Sequence, residues 1–544
     1  QRRADNLVEA IDINEVTTSE QASYDIFKGA VDKQMFTPAR VLASTNRVLQ
    51  GVATRAIVTT RTPDANVQTK LAAVLEADVS GMVRDSATQR AVSFDSLPKL
   101  GKAGKVAERA VAVPDPKIER VRFANGVTAL LFQNPGEVGR VYVSVRFGRG
   151  MQAIPAGKQT PAWAADLALV ASGIAAPGGI LGQEEIDRLT GDRQMSLSFG
   201  IGDDAFVFAG QTSPGDLTDQ LRLMAAKLQS PAWDPKPIAR ARALAVSSYA
   251  SMSASPDGVI GRDLERLLRD DDPRWGMPDL KGIEALNAKG FRAFWEPLLA
   301  SGPIEVQIFG DIDVDKAVEA ARITFGALKP RKPAPVVSPN VRFPAHVVSP
   351  VVLRHTGQAD QAAVVVAWPA GGGPDNISEG RKLEILAAVM RDRILDRIRS
   401  GEGVSYSPNV VSQSPMGQPG GGRILALTLL PPDKTDLFIK VAREIAADLI
   451  ARPVELDELR RALVPTTQMV IRRSSGNPFW MQQTEGGTFD PRRLAAVDTI
   501  AFDYGRTSPE EIQALAVKYL GAGKDWTMVV LPEAQATAPA AGGR

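Results

Sequence analysis

Cysteine is absent from this chain of 544 residues, and histidine occurs only twice. Without cysteine there can be no disulfide, no thiolate zinc site and no cysteine nucleophile. The two histidines, His346 and His355, have no Glu or second His at the helical spacing that zinc peptidases use. Neither lies near a Gly-x-Ser-x-Gly elbow, the usual setting of the serine nucleophile in α/β-hydrolases. We therefore expect both histidines to be structural.

Long apolar runs and a strong net charge are also missing. No stretch approaches the ~20 apolar residues that a membrane-spanning helix needs. The formal net charge is only +2, and no basic stripe is interleaved with aromatic residues, so nucleic acid is not indicated as a partner. Hydrophobic residues make up 44% of the chain and charged residues 23%, as in ordinary globular proteins. The chain is too long for one core, and its length predicts about three domains.

Three segments repeat one pattern, a helix followed by a strand. They begin at Thr37, Asn287 and Ser508, each of which is a good helix N-cap residue. In each segment an apolar residue lies four positions later, and an apolar or aromatic pair lies eleven and twelve positions later. A Gly-containing loop then leads into a β-branched strand. The pattern indicates one structural ending that is used three times.

The beginning of the repeat is found only twice. Residues 121–133 contain Asn125-Gly126, which predicts a hairpin whose turn has positive φ angles. Residues 141–150 and 363–372 are predicted strands, each leading into the first helix of its unit. The offset between these strands, like that between the last two endings, is about 220 residues, as expected for copies of one unit. Two complete units therefore follow the end of another.

These repeats predict an α+β fold with two tandem sheet-plus-helices (α/β roll) units, preceded by the C-terminal piece of another unit. The predicted divisions are, in chain order, the remainder of a preceding unit, a linker, a first complete unit, a second linker, a second complete unit and a flexible tail, at residues 1–80, 81–116, 117–331, 332–345, 346–534 and 535–544. The linkers are rich in Pro, Lys and small residues, and the tail has low complexity. Because Gln1 is not Met and no apolar signal segment follows it, we expect the chain to begin in mid-domain, as one piece of a four-unit protein.

Residues 393–406, RILDRIRSGEGVSY, place a tyrosine seven positions after an arginine, with two glycines between them. This segment is similar to the Arg-x6-Tyr motif of the pitrilysin/insulinase family of zinc metallopeptidases, which includes mitochondrial processing peptidase. The hairpin, the strand at 141–150 and the repeated ending also resemble that family, so the resemblance covers nearly the whole chain. It implies four α+β units, two in each half, that close around a peptide chamber, with zinc on an inverted His-x-x-Glu-His helix of the first unit. This chain resembles the C-terminal, non-catalytic half.

The catalytic helix of that family is where this chain departs from the pattern. By the resemblance it corresponds to residues 161–173, PAWAADLALVASG, where alanine, leucine and the single acid Asp166 stand in place of the metal ligands. Such residues predict a plain core helix. No catalytic set is therefore complete in this chain, which we expect to bind no metal and to be inactive alone. The resemblance implies that zinc and the general base come from an N-terminal catalytic half with the inverted zinc motif, either a separate subunit or part of the same precursor.

Arg399 and Tyr406 are the candidate site residues. The resemblance implies that they reach across the chamber and bind the carbonyl oxygen of the peptide substrate, or stabilise the oxyanion that forms when water attacks it. Gly401 and Gly403 would supply the tight turn that lets the two side chains converge. From the residues alone, another interpretation stays open: Arg399 interacts with the negative end of a helix dipole, and Tyr406 is a half-buried strand residue.

Two functions of different class remain open. The first is one half of a heterodimeric zinc metalloendopeptidase, exported to the periplasm or beyond, because large bacterial members of the family are commonly exported and a chain without cysteine is compatible with export. The second is a non-catalytic structural or peptide-binding protein of the same fold, as in the core subunits of respiratory complexes. The Arg399 and Tyr406 pair favours the first, because a scaffold has no oxyanion to stabilise.

Overall fold

The computed structural model describes residues 8, 10–11, 18–50, 56–58, 64–77, 91–402 and 408–533. The chain divides into two compact units, residues 1–90 and residues 91–544.

Helices make up most of the described part of the first unit. Their bounds are Glu20–Asp32 (α1), Pro38–Leu49 (α2) and Val67–Glu76 (α3). The side chain of Thr37 accepts a hydrogen bond from the backbone N–H of Arg40, so the N-cap predicted there is confirmed. Residues 56–58, the described part of the strand predicted after α2, are not in a strand. None of the described residues of this unit is buried.

The second unit is built on two main sheets and one small hairpin. Its strands are β1 (Val106–Val113), β2 (Ile118–Phe123), β3 (Thr128–Gln133), β4 (Val141–Phe147), β5 (Ile174–Ala176), β6 (Gly179–Leu181), β7 (Ser198–Ile201), β8 (Phe206–Thr212), β9 (Ile304–Gly310), β10 (Val351–His355), β11 (Ala362–Pro369), β12 (Asn409–Gln413), β13 (Arg423–Leu430) and β14 (Trp526–Pro532). The first sheet has the order β1-β2-β3-β9-β4-β8-β7, the second has the order β10-β14-β11-β13-β12, and β5 pairs with β6.

The α-helices of this unit follow and separate the strands. They are α4 (Ala165–Ala171), α5 (Gln183–Thr190), α6 (Leu217–Gln229), α7 (Pro235–Met252), α8 (Pro256–Leu267), α9 (Leu280–Glu284), α10 (Ala288–Ala300), α11 (Val314–Ile323), α12 (Ile377–Glu402), α13 (Thr435–Ala451), α14 (Leu456–Arg473), α15 (Asn477–Thr484), α16 (Pro491–Ala495), α17 (Ile500–Gly505) and α18 (Pro509–Tyr519). In the part of the chain that the structure describes, no helix has both the length and the apolar character needed to cross a membrane.

The two sheets share one five-stranded topology. Strands β3-β9-β4-β8-β7 correspond in order and direction to β10-β14-β11-β13-β12, and in both sheets the first pair is parallel while the others are antiparallel. The predicted N-caps at Asn287 and Ser508 are confirmed, since their side chains accept from Gly290 N and Glu511 N. The predicted α+β fold is therefore confirmed. We call β1 to α11 the first repeat and β10 to β14 the second repeat.

The predicted hairpin at residues 121–133 is formed by β2 and β3, but its turn differs in detail. Only Gly126 has a positive φ, of 89°. The Asn125 side chain instead donates hydrogen bonds to the carbonyl oxygens of Phe325 (2.9 Å) and Leu328 (3.0 Å). This asparagine is therefore placed for its long-range hydrogen bonds, which hold the turn against the segment after α11.

The first predicted linker, residues 81–116, contains a strand. β1 pairs with β2 along its length and forms the edge of the first sheet. Its charged side chains form surface ion pairs across the ladder, such as Arg109 with Glu119 at 2.7 Å, which is typical of an edge strand. The boundary predicted at residue 117 therefore falls inside the sheet. Residues 332–345, the second predicted linker, contain neither helix nor strand.

Each sheet lies between its own helices and a helix of the other repeat. On one face of the first sheet, Val143 and Val145 pack in the same core as Phe291 and Trp295 of α10. The opposite face contacts α15 of the second repeat, where the Gln307 side chain donates to backbone and hydroxyl oxygens of that helix. Both repeats therefore share a buried interface.

The second sheet is covered in the corresponding way by the first repeat. Helix α8 contributes Val259 and Leu264 to a buried cluster that also contains Ala363, Val365 and Met528 of the second sheet. Because α8 and α15 occupy equivalent places in the two repeats, the packing is reciprocal. This arrangement fixes the second repeat, which carries the predicted Arg/Tyr segment, against the first.

Candidate functional site

The segment predicted to bind substrate begins in the last turn of α12. This helix ends at Glu402, between the two glycines at which the sequence predicts a break, and β12 begins at Asn409. Arg399 and Gly401 lie in that last turn. The side chain of Arg399 lies outside the described residues, as do Gly403 and Tyr406 altogether. The convergence of the pair stays a prediction.

The described end of α12 is anchored on two neighbouring helices. Arg393 donates to Glu458 of α14 at 2.5 Å and to Asp448 of α13 at 2.7 Å. The hydrogen bond with Glu458 raises the pKa of Arg393 despite partial burial, so the guanidinium is firmly charged. Ile394 and Ile398 of the same helix are buried in the core of the second repeat. The helix that carries Arg399 is thus held by both ion pairs and apolar contacts.

The segment that corresponds to the zinc helix is part of the first core. After a turn of 3₁₀-helix at Pro161–Ala164, α4 buries Ala165, Ala168 and Leu169. Asp166 is exposed and accepts a hydrogen bond from the N–H of the next residue. The predicted core helix is confirmed. Across residues 91–402, 408–533 and the described residues before them, no cluster of three or more His, Cys, Asp or Glu is arranged to hold a metal.

A buried lysine closes the C-terminal end of this helix. Lys227 of α6 is only 3% exposed, and its ammonium donates to the carbonyl oxygens of Val170 (2.6 Å) and Ser172. Helix C-termini carry partial negative charge, which favours a cation there. Burial nevertheless lowers the pKa of Lys227 from its ordinary 10.5 to about 8.

The lowered pKa of Lys227 predicts a pH dependence of stability. The unfolded chain keeps the proton up to about pH 10.5 while the folded chain loses it from about pH 8, so folding is favoured more as pH rises through this window. We expect the free energy of unfolding of the wild type, relative to Lys227→Met, to rise by up to about 3 kcal/mol between pH 8 and 10.5. Denaturant unfolding at each pH measures it. Relative to Lys289→Met, which changes an exposed lysine, we expect no such rise. The prediction is contradicted if the difference between the wild type and Lys227→Met stays constant with pH, or if the difference from Lys289→Met rises equally.

The two histidines are held by backbone groups. His355 is fully buried; its Nδ1 accepts from Gly357 N at 3.1 Å, so Nε2 carries the proton and donates to Gln361 O at 2.8 Å. His346 Nδ1 lies 2.6 Å from the carbonyl oxygen of Asp525. Both rings are thus engaged by backbone groups, and their structural role stays a prediction.

A group of charged side chains lies where the two repeats meet. We call it the interface cluster, and it consists of Arg146, Asp204, Glu305, Glu485 and Arg493. Arg146 and Glu305 are adjacent on β4 and β9, on the sheet face that turns away from the helices of the first repeat. Arg146, Glu305 and Arg493 are each at most 5% exposed. Charges so deeply buried need partners of opposite charge. Here the partners lie on both sides of the interface.

Glu305 binds the loop that follows α15. Its carboxylate accepts hydrogen bonds from Gly486 N (2.7 Å), Thr488 N (3.0 Å) and the Thr488 hydroxyl (2.5 Å). That hydroxyl also lies 2.8 Å from the hydroxyl of Thr128 on β3. The carboxylate therefore satisfies two backbone donors that would otherwise be buried without partners.

The two arginines of the cluster cross-link the repeats. Arg146 pairs with Asp204 (2.6 Å) and with Glu485 of the second repeat (3.2 Å). Arg493 donates to Asp204 of the first repeat and to the carbonyl oxygens of Glu485 and Met416, each at 3.0 Å. Burial alone would lower the pKa of Arg146, but the carboxylates around it raise that pKa, so it stays charged. The cluster holds the loop at 485–493 in one position against the first sheet.

The interface cluster was not predicted from the sequence, although a signal for it exists. Residues 141–147 and 304–310 alternate apolar residues with Ser144, Arg146, Glu305 and Gln307. Such alternation usually indicates a sheet face in contact with water. These four side chains are instead at most 9% exposed, because helices of the second repeat cover them.

Comparison with known proteins relates this chain to the M16 peptidases. Residues 285–463 match the family described as the Peptidase M16 inactive domain. No curated protein sequence matches the chain. The solved structure of a mutant of the ferredoxin protease FusC, in complex with Arabidopsis ferredoxin, has a TM-score of 0.64 and 15% identity, covering 98% of this chain and 58% of FusC. The periplasmic protease PqqL from Escherichia coli has a TM-score of 0.66 and 15% identity, covering 93% of this chain and 52% of PqqL.

A shorter solved structure matches this chain over its own whole length. The peptidase M16 inactive domain from Pseudomonas fluorescens has a TM-score of 0.61 and 16% identity, with 78% of this chain and 100% of that one covered. At such identities the likeness to solved structures concerns the fold, and this chain spans just over half the length of FusC and PqqL. Together with the family match, these findings confirm the resemblance to the non-catalytic half of pitrilysin-type peptidases.

Proposed function

We propose that this chain acts as the non-catalytic half of a zinc metalloendopeptidase, because residues 285–463 match the M16 inactive domain and the fold is that of M16 peptidases. In this proposal it closes a peptide chamber and binds the backbone of the substrate. The zinc ion and the general base belong to a catalytic half with the inverted His-x-x-Glu-His motif. Zinc would supply the activated water in that half, and no residue of this chain is assigned to hold it.

One observation carries the proposal. Two complete α+β repeats are joined by a buried interface, and the helix at the catalytic position of the first is an apolar core element. The double-repeat architecture of a peptidase, with alanine and leucine in place of the metal ligands, supports a chain that completes a chamber whose metal is held by another half. The match of residues 285–463 to an inactive domain supports the same assignment.

The substrate-binding role falls to Arg399 and Tyr406. Arginine offers a planar, permanently charged fork of donors, and tyrosine adds an O–H that stays protonated at neutral pH. Helix α12, whose last turn carries Arg399, is fixed by Arg393 and by its buried isoleucines. A fixed helix supports the proposal, because an oxyanion is stabilised by donors that are held in place before the reaction.

Residues 1–90 support the existence of a partner polypeptide. Large apolar side chains of α1 and α2 are exposed, among them Tyr24 (57%), Phe27 (59%) and Leu49 (77%). Exposed apolar surface of this kind marks a protein interface. We propose that the catalytic half, as a separate subunit in a heterodimer or as part of one precursor, covers this surface. The periplasmic location of PqqL is compatible with an exported site of action, which we also propose.

The proposal predicts that the purified chain holds no stoichiometric zinc and cleaves no peptide, and that a catalytic half with the inverted motif restores cleavage. Metal analysis and a fluorogenic peptide assay of each half and of the mixture measure both expectations. The other function open from the sequence, a non-catalytic scaffold, predicts no cleavage by the mixture. One tightly held zinc per chain that is lost in His355→Ala would contradict the assignment of zinc to the partner.

A further inference from the structure

A cavity of about 440 Å³ opens beside the linker that joins the two repeats, and its charged lining is entirely cationic. We call it the basic groove. Its charged residues are Arg149, Lys329, Arg331 and Lys332. Arg149 follows β4, whereas the other three lie in the segment after α11, so the charges come from two separate parts of the chain.

The charges of the basic groove are not neutralised by the protein. Within residues 91–402 and 408–533, none of the four forms an ion pair, and the buried Nε of Arg149 has no hydrogen-bond partner. The carboxylates next in sequence to the lining residues Ile304 and Phe489 are occupied elsewhere: Glu305 binds Thr488, and Asp490 pairs with Arg492. A set of uncompensated cations in a concave site raises the local concentration of anions.

Arg331 is fixed in the groove by the end of α10. Its guanidinium donates to the carbonyl oxygens of Leu299 (2.6 Å), Ser301 (2.5 Å) and Gly302 (2.9 Å). Burial, with no carboxylate to oppose it, lowers the pKa of Arg331 to about 10, so the group is still charged at neutral pH. The remaining nitrogen, Nη1, makes no hydrogen bond in the described part of the chain and stays available to a ligand.

Apolar side chains form the remainder of the lining. Pro303, Pro333 and the half-exposed Phe489 border the same cavity. Carboxylates on short aliphatic stems suit such a lining, since guanidinium and ammonium groups bind the oxygens while proline and phenylalanine contact the stems. Cations drawn from two segments also match several carboxylates along an extended chain better than one compact anion.

We propose that the basic groove binds an acidic segment of the peptide substrate. The proposal rests on the proposed function, because it assumes that polypeptides reach this chain. It adds a preference for substrates rich in Asp and Glu. Because the contacts are electrostatic and close to the surface, salt should weaken them.

Direct binding to the isolated chain tests the proposal without any cleavage. The probe is a fluorescein-labelled hexaglutamate peptide, followed by anisotropy at low and at physiological salt, with hexalysine and a neutral hexapeptide for comparison. Of the three peptides, we expect only hexaglutamate to bind, and its affinity should fall as the salt concentration rises. The triple variant Arg149→Gln, Lys329→Gln, Lys332→Gln should bind it at least about tenfold more weakly. Arg331 is left unchanged because it also holds the end of α10.

A second triple variant controls for net charge. Lys236, Lys281 and Lys289 are exposed and lie outside the lining of the groove. Their replacement by Gln removes the same charge, and we expect affinity for hexaglutamate to stay within about twofold of the wild type. An equal loss in both triple variants would show a general charge effect and overturn the proposal.

Two further outcomes would overturn the acidic-peptide assignment. One is unchanged affinity in the groove variant. The other is displacement of hexaglutamate by inorganic phosphate at concentrations near the dissociation constant of the peptide, which would identify a small-anion site instead. Neither outcome bears on the reconstituted cleavage of an uncharged fluorogenic peptide, so failure of this inference and failure of the proposed function are told apart.

Discussion

Glu305→Ala is expected to lower the free energy of unfolding of residues 91–533 by about 3–5 kcal/mol. The carboxylate is fully buried and accepts three hydrogen bonds, two of them from the backbone N–H groups of Gly486 and Thr488. Its removal leaves those donors buried without partners. It also takes one carboxylate from the surroundings of Arg146, 3.9 Å away, which cannot lose its charge in response.

Denaturant unfolding of the wild type and the variant measures this effect, with tryptophan fluorescence as the probe. Glu296→Ala is the matched control, because Glu296 pairs with Arg292 at 2.9 Å on an exposed helix face, where ion pairs contribute little. Hydrogen exchange gives a local readout, since the amides of Gly486 and Thr488 should lose protection first. Equal unfolding midpoints for Glu305→Ala and Glu296→Ala would show that the interface cluster does not stabilise the two repeats.

The repeated endings could be predicted from the sequence because their determinants are local. Asn287 and Ser508 cap their helices through bonds to residues three positions later, and the strands that follow are rich in β-branched and aromatic residues. Such signals act within one turn or one strand, so they do not depend on which elements pack against it. The topology shared by the two sheets follows from the same repeat.

Features that depend on distant contacts were not predictable in the same way. β1 lies in a segment whose overall composition is that of a linker, and its place at the edge of the sheet depends on its pairing with β2. Asn125 indicated a turn by its type, yet its side chain bonds residues about 200 positions away. The burial of Arg146 likewise depends on a layer contributed by the second repeat, which no periodicity within β4 records.

The candidate site depends both on local sequence signals and on tertiary contacts. Helix α12 ends at Glu402, beside the predicted turn glycines, and β12 begins at Asn409. The pairing of Arg399 with Tyr406 derives from the resemblance to a peptidase family, and the convergence of two side chains across a turn is a tertiary property. Its test is therefore functional.

Tyr406→Phe is expected to lower kcat/KM of the reconstituted peptidase by roughly 10- to 1,000-fold while binding of the catalytic half is unchanged. Loss of one preorganised donor to a developing oxyanion has an effect of this size. If the hydroxyl acts only in the transition state, kcat falls and KM does not rise. Tyr249→Phe is the matched control, because it also removes a hydroxyl while its ring stays against Arg262.

Arg399→Lys tests the other half of the pair in the same assay. An ammonium cannot reproduce the planar fork of a guanidinium, so a site arginine should tolerate the change poorly. Arg397→Lys, two residues earlier on α12, is the control, since Arg397 is exposed and its contact with Glu444 is 3.4 Å long. A structural pair behaves differently: phenylalanine keeps the ring packed, and lysine at a helix end keeps the charge near the dipole. Activity within about twofold of the wild type for both Tyr406→Phe and Arg399→Lys, which corresponds to roughly 0.4 kcal/mol, would remove the pair from the catalytic mechanism and favour the scaffold.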